Sequence, residues 1–226
     1  VKPLSENLKP QDLNSVKCDN CGIRYRKKDS KWCKWCIDRH IRQESWSPET
    51  IIVRISNCVE PLYLDSNIED FTEPVKNVLK SWDGTQDLYF HGDTGTGKTH
   101  AMYALMKICI ANGYLCRLRD FGEVCRKIRS AFNSNTPEQA IRDEFLNLDV
   151  LFLDDLGLKS SVSDYEYDVF YDILDRRICN CLPTVISSNK TIQQVAEGFD
   201  KRIESRLGLF TVVEFSGQDR RPQKRV

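Results

Sequence analysis

The stretch "FHGDTGTGKTHA", Phe90 to Ala101, decides how the rest of the chain is read. It meets the pattern G-x-x-x-x-G-K-[ST] in full, and each residue type has a physical reason to be there. Gly92, Gly95 and Gly97 let the backbone curl until successive N–H groups point inward at a phosphate. Lys98 adds a point charge near the β- and γ-phosphates, and the Thr99 hydroxyl can ligate Mg²⁺. Asp93, Thr94 and Thr96 complete the cradle, and His100 follows on the first helical turn. Just outside the loop, "DLYF" reads as a short buried strand. "KTHAMYALMKICIANG" places Ala101, Ala104, Leu105 and Ile108 on one helical face and stops at Gly113. Strand, loop, helix is the setting a triphosphate-binding loop requires, so ATP and Mg²⁺ are the expected ligands.

Further out, short apolar runs and helical periods alternate. "YLCRL" is a strand candidate and residues 121–132 a helix. "NTPEQAIRDEF" is a capped helix from about Thr136, "LDVLFLDDLG" a buried strand with an acidic end, residues 164–180 a long helix, and "PTVISSN" and "LFTVVEF" the last strands. This alternation predicts an α/β fold with a parallel sheet flanked by helices. Residues 1–40 read as an amino-terminal arm and cysteine module, 41–58 as a linker in which "IIVRI" is a short strand candidate, and 59–226 as the core.

Two strand ends carry candidate chemistry. "VLFLDD" places Asp154 and Asp155 at the carboxyl end of a strand, where open α/β sheets keep their ligands. Asp154 would reach Mg²⁺ through water. Asp155 would orient the attacking water, a task more often given to the longer Glu. "VISSN" ends in Asn189, whose amide can hydrogen-bond the γ-phosphate or the water; a turn-forming Asn would look the same. In "DKRIESRLG", Arg202 and Arg206 are four apart and share a helical face. They either pair structurally with Glu204 or Asp200, or one of them reaches the triphosphate of an adjacent subunit.

"CDNCGIRYRKKDSKWCKWC" supplies C-x₂-C twice, with eleven residues between the pairs. Cys18, Cys21, Cys33 and Cys36 can therefore grip a tetrahedral Zn²⁺, and the Gly after Cys21 suits the tight knuckle in which backbone N–H groups bond thiolates. Arg24, Arg26, Lys27, Lys28, Lys31 and Lys34, interleaved with Tyr25, Trp32 and Trp35, would suit nucleic acid or a protein groove equally. The other six cysteines, Cys58, Cys109, Cys116, Cys125, Cys179 and Cys181, fall mostly in apolar periodic segments, as buried reduced thiols would. With no visible secretory signal, that predicts a cytoplasmic protein. Lys+Arg 33 balances Asp+Glu 33, so a nucleic-acid surface has to be a local patch, and no run is apolar enough for a membrane span.

Taken in order, "GDTGTGKTH", "LFLDDLG", "ISSN", "RIESRL" and "FSGQDRR" resemble the AAA+ ATPases that load replicative helicases onto DNA in bacteria and phages. These are the DnaC and DnaI type, with the IstB transposition helpers as close relatives. The resemblance runs from about residue 60 to 221 and includes "EPLYLDSNIEDF", similar to the segment that precedes the P-loop strand in that family. It implies Walker A roles for Lys98 and Thr99, Walker B roles for Asp154 and Asp155, and sensor 1 for Asn189. It also implies an arginine finger at Arg206 with Arg202 beside it, and sensor 2 at Arg221 or Arg220. Only 37 residues follow Asn189, so the lid domain is expected to be reduced or absent.

The resemblance further implies self-assembly into an ATP-dependent oligomer, with the helix over 121–132 facing single-stranded DNA and the amino-terminal domain gripping a hexameric helicase. On that helix Phe121, Val124, Cys125, Ile128 and Phe132 share one side, and Arg126, Lys127 and Arg129 the other. Three functions stay open: a helicase loader, an adaptor that recruits a transposase to target DNA, and a nucleotide-switched binding protein.

Overall fold

Strands β1 (Leu88–His91), β2 (Cys116–Asp120), β3 (Val150–Asp154), β4 (Thr184–Ser188) and β5 (Thr211–Glu214) form one sheet in the order β2-β3-β4-β1-β5, every pair parallel. The computed structural model describes residues 17–22, 30–131, 137–157, 164–198 and 201–220. All residues of β3 and β4 are buried, the mark of strands covered on both faces. Alternation divides their side chains. Tyr89, Leu151, Leu153 and Ile186 pack with Val169, Phe170, Ile173 and Leu174 of α7 (Asp164–Cys179) on one face. Leu88, Phe90, Phe152 and Val185 pack with Met102, Leu105 and Met106 of α4 (Lys98–Ala111) on the other.

The expected α/β order is present, and among the described residues no helical lid follows β5. Helix α3 (Val75–Ser81) precedes β1, α5 (Phe121–Ala131) and α6 (Glu138–Leu146) follow β2, and the short α8 (Ile192–Ala196) and α9 (Lys201–Leu207) lie between β4 and β5. The start proposed near Thr136 falls outside the described residues.

Residues 41–58 differ from the linker expected of them. Helix α1 (Lys34–Ser45) runs out of the cysteine module, and α2 (Pro48–Cys58) absorbs the "IIVRI" run that reads as a strand. The reason is local: Ser47 caps the helix by accepting from Thr50 N at 3.2 Å, Pro48 opens the first turn, and Glu49 favours its positive end. Trp46, between the two helices, packs on the core under the Arg54 guanidinium, 3.9 Å from the ring centroid. Cys109, Cys116 and Cys125 are buried as expected, but Cys179 and Cys181 are exposed: Cys179 lies on the outer stripe of α7 with Tyr171 and Asp175, and Cys181 lies in the turn after the helix.

Arg177 is fully buried and acts as a strut between α7, α6 and β4. It donates to Thr184 Oγ1 at 2.9 Å and to the carbonyls of Phe145, Leu148 and Pro183 at 2.9, 3.1 and 2.6 Å. The neighbouring Asp87 accepts from Thr184 N at 2.7 Å; burial pushes its carboxyl up, and the Arg177 charge opposes that. Arg177→Met, which keeps the length and loses the donors, is expected to cost about 3 kcal/mol or more of stability, read as a lowered urea midpoint with unchanged slope.

Candidate nucleotide site and four-cysteine cluster

The strand register decides what can meet. Asp120 pairs with Asp154 and His91 with Ser188, so the carboxyl ends of the strands line up along one edge of the sheet. There the phosphate loop bends from β1 into α4. Gly92 has φ 142°, and a Cβ on it would lie 1.9 Å from the backbone oxygen of Phe215 after β5. Gly95 has φ 83°, and its Cβ would meet the Asp219 carboxylate at 2.0 Å. Both positions require glycine, the second because the closing segment of the chain lies on the loop.

Lys98 is buried, and its Nζ donates to the carbonyls of Gly92 and Asp93 at 2.7 and 2.8 Å and to Asn189 Oδ1 at 2.8 Å. Thr99 Oγ1 donates to Asp154 Oδ2 at 2.8 Å. The two residues expected to serve Mg²⁺ therefore touch, although they are far apart in sequence. Asp155 has φ 58°, a left-handed conformation that Asp tolerates better than most residues. Its side chain lines the same cavity as Lys98, Thr99 and Asn189.

That cavity has a volume of about 600 Å³, also bordered by Thr94, Gly95, Gly97, His100, Leu62, Tyr63, Asp70 and Arg220. Tyr63 stacks on Tyr103 at 4.6 Å, and His100 Nε2 meets Asp70 Oδ2 at 2.7 Å, a bond that holds the Asp70 carboxyl below its usual range. Arg220 is tied in three ways. Its backbone N donates to Gly95 O at 2.9 Å, its Nη1 to Asp70 O at 3.0 Å, and its guanidinium lies 5.3 Å from the Phe71 ring centroid. Arg221 lies outside the described residues, so of the two arginines it is Arg220 that is seen at the cavity.

Sequence reasoning missed the roles of Ser187 and Ser188. Ser187 Oγ donates to Asp154 Oδ1 and accepts from Asp155 N at 3.2 Å, while Ser188 Oγ donates to Leu156 O at 2.6 Å. These hydroxyls fix the acidic strand end from the adjacent strand. The signal was present as two small hydroxyls at the tip of an otherwise apolar strand. Tyr63 and Asp70 lie within "EPLYLDSNIEDF", which the resemblance had marked without assigning residues.

Arg202 and Arg206 do not join the cavity of their own chain. Arg206 pairs with Asp175 of α7, which raises its pKa, and Arg202 lies over the Tyr167 and Tyr171 rings, 5.4 Å from each centroid. The cations of α5 are engaged as well. Lys127 Nζ meets Glu144 Oε2 at 2.6 Å, Arg126 faces Asp120 and Glu123, and Arg129 lies 4.8 Å from the Tyr165 centroid. Phe121, Val124 and Cys125 form the buried side; Phe132 and the Ile128 side chain lie outside the described residues.

The thiol sulfurs of Cys18, Cys21, Cys33 and Cys36 all lie within 4.8 Å of one another, a donor set that fits a single metal ion. Cys33 N donates to Cys18 Sγ at 3.2 Å. Burial pushes the Cys18 thiol up, but backbone N–H groups of Cys21, Cys33 and Asn20 outweigh it and bring the thiol down to about 6, as thiolate ligation requires. Burial pushes the Cys36 thiol up. Residues 23–29, including most of the basic and aromatic interleaving, lie outside the described residues. The module is seated on the core through α1. Arg42 Nε donates to Gly113 O at 2.8 Å and its Nη2 pairs with the buried carboxylate of Asp149, while Arg39 donates to the Tyr114 hydroxyl.

A phosphate loop on a five-stranded parallel sheet, with an acidic strand end and a polar strand tip at one cavity, defines an ATP-binding α/β protein of the AAA+ kind. The chain belongs to the family described as IstB-like ATP binding protein, which matches residues 77–205. It is 23% identical over 163 residues to the replicative helicase loader DnaC of Escherichia coli (strain K12), covering 67% of this chain and 66% of that protein. A crystal structure of DnaI superposes with a TM-score of 0.57 at 26% identity, over 80% of this chain and all of that one. A crystal structure of the DnaC helicase loader gives 0.60 at 19% identity, over 70% of this chain and 100% of that one, a likeness of fold. Among the described residues no helix is long and apolar enough to cross a membrane.

Proposed function

We propose that the chain is an ATP-dependent loader of a replicative hexameric helicase. In this reading it assembles on single-stranded DNA through its AAA+ core and grips the helicase through a zinc-bound amino-terminal module, in the cytoplasm, at the start of replication. The observation that carries the reading is the division of the catalytic set. Lys98, Thr99, Asp155 and Asn189 line one cavity and Asp154 accepts from Thr99 behind it, while Arg206 is held outside. Hydrolysis then needs a second copy, which ties ATP turnover to assembly. Similarity to DnaC and DnaI supplies the choice of cargo.

In the bound state, the loop N–H groups and Lys98 would take the phosphates, Thr99 and Asp154 would hold Mg²⁺, which would supply charge neutralisation, and Asp155 with Asn189 would orient the attacking water. Arg220, at the cavity, takes the sensor 2 role for which Arg221 was the first candidate. Lys127 and Arg129 serve DNA only after giving up their contacts with Glu144 and Tyr165.

Zinc ligation by Cys18, Cys21, Cys33 and Cys36 would contribute on the order of 10 kcal/mol to a segment with almost no apolar core of its own. The purified chain is expected to carry one zinc per copy, released when a mercurial titrates the thiols. Cys18→Ser with Cys36→Ser is expected to lose the metal and co-elution with the cognate replicative helicase, while ATP binding persists. Helicase retention by the metal-free variant would count against the module as the grip. The family assignment also supports a second reading, a helper that recruits a transposase to target DNA. Retention of a transposase on duplex DNA, with no retention of helicase, would favour it.

A further inference from the structure

Helix α7 carries Tyr167, Tyr171, Asp175 and Cys179 at four-residue intervals, one stripe along the helix. Helix α9 carries Arg202 and Arg206, also four apart. The two spacings mesh. The Tyr167 and Tyr171 rings stack 5.9 Å apart at 11°, and the Arg202 guanidinium lies 5.4 Å from both centroids. One step along, Arg206 lies 5.0 Å from the Tyr171 centroid. It donates to Asp175 Oδ1 from Nε at 2.8 Å and from Nη2 at 2.6 Å, and to the Tyr171 hydroxyl from Nη2 at 3.0 Å. Two of its three nitrogens are thus bound, and among the described residues no hydrogen bond takes Nη1.

A guanidinium is a rigid planar fork, so fixing one edge fixes the direction of the other. A long side chain ordered within its own subunit has less freedom to lose when it meets a phosphate, which is the advantage of preorganisation. Arginine is also always charged here, so the carboxylate does not switch it off; it sets where the charge sits.

We propose that Asp175 and Tyr171 are positioning residues for Arg206, holding its guanidinium on the α7 stripe so that it meets the triphosphate bound by a second copy of this chain already oriented. The inference rests on Arg206 completing a neighbour's pocket, and the two ideas fail separately. A contact that restrains Arg206 instead would have the opposite sign in turnover.

The test is steady-state ATP hydrolysis by the full chain with Mg²⁺ and a single-stranded oligonucleotide, alongside sedimentation to follow assembly and thermal unfolding to follow stability. Arg206→Ala is expected to lose roughly a thousandfold in kcat. Asp175→Ala is expected to lose about ten- to a hundredfold in kcat with KM, assembly and thermal midpoint unchanged. Asp175→Glu, which restores an acceptor, should recover part of that loss, and Tyr171→Phe, which removes only the hydroxyl, should fall between Asp175→Ala and the parent. If Arg206→Ala falls while Asp175→Ala matches the parent, the positioning role is overturned and the finger stands. If Arg206→Ala itself matches the parent, the underlying reading fails. A faster Asp175→Ala, or a loss that tracks a lowered midpoint and is not recovered by Glu, also overturns the inference.

Discussion

Lys98→Ala is expected to remove measurable ATP binding while leaving the fold in place. The ammonium is held over the loop by the Gly92 and Asp93 carbonyls and by Asn189, at 2.7 to 2.8 Å, and it borders the 600 Å³ cavity. Hydrogen bonds to charged groups are worth about 1.5–3 kcal/mol each, so losing two to the phosphates weakens binding by roughly a hundredfold or more. A fluorescent ATP analogue reads the affinity directly. Thermal unfolding gives a second reading, since saturating Mg-ATP raises the midpoint of the parent by mass action and should not raise that of the variant. Lys98→Arg keeps the charge but replaces a compact point donor with a wide fork, and it is expected to recover little. Binding within tenfold of the parent would remove this cavity from consideration as the triphosphate site.

Arg206→Ala is expected to leave ATP binding intact and to lower turnover roughly a thousandfold under assembled conditions, the range a trans-acting arginine supplies. The structural ground is negative and positive at once. Among the described residues none of α7 or α9 borders the cavity, so Arg206 is expected to contribute nothing to affinity within its own chain. Yet its charge is retained at the surface, paired with Asp175 and stacked beside Tyr171. A simple surface ion pair of this kind stabilises a fold very little, so a large kinetic loss without a change in midpoint separates catalysis from structure.

Legibility followed contiguity. The phosphate loop could be read because its chemistry is packed into one run, and Asp154, Asp155 and Asn189 because each sits at the tip of an apolar strand. Their meeting with Lys98 and Thr99 then followed from a parallel sheet, whose strand ends share an edge. What depended on distant partners was not legible. Nothing near Asp149 indicates that it receives Arg42, and nothing near Arg177 indicates that it spans the carbonyls of two other elements. The β-branched run Ile51–Ile55 pointed to a strand by propensity, but the Ser47–Pro48 start outweighed it, as a cap and a core to pack on commonly do. The segment holding Arg220 and Arg221 has no periodicity to separate the two, and nothing in it indicates that the Arg220 backbone N–H bonds the Gly95 carbonyl.

The central claim is that each hydrolytic pocket is completed by the neighbouring copy, and subunit mixing tests it most directly. Asp155→Asn keeps Arg206 but lacks the carboxylate proposed to orient water, and Arg206→Ala keeps the cavity but lacks the charge proposed to act in trans. Each alone is expected to be nearly inactive with Mg-ATP and single-stranded DNA. Mixed in equal amounts, they should regain a substantial part of the parent rate, because an Asp155→Asn subunit donates its arginine to the intact cavity of its neighbour. A mixture as inactive as its two components, with assembly intact, would contradict the account.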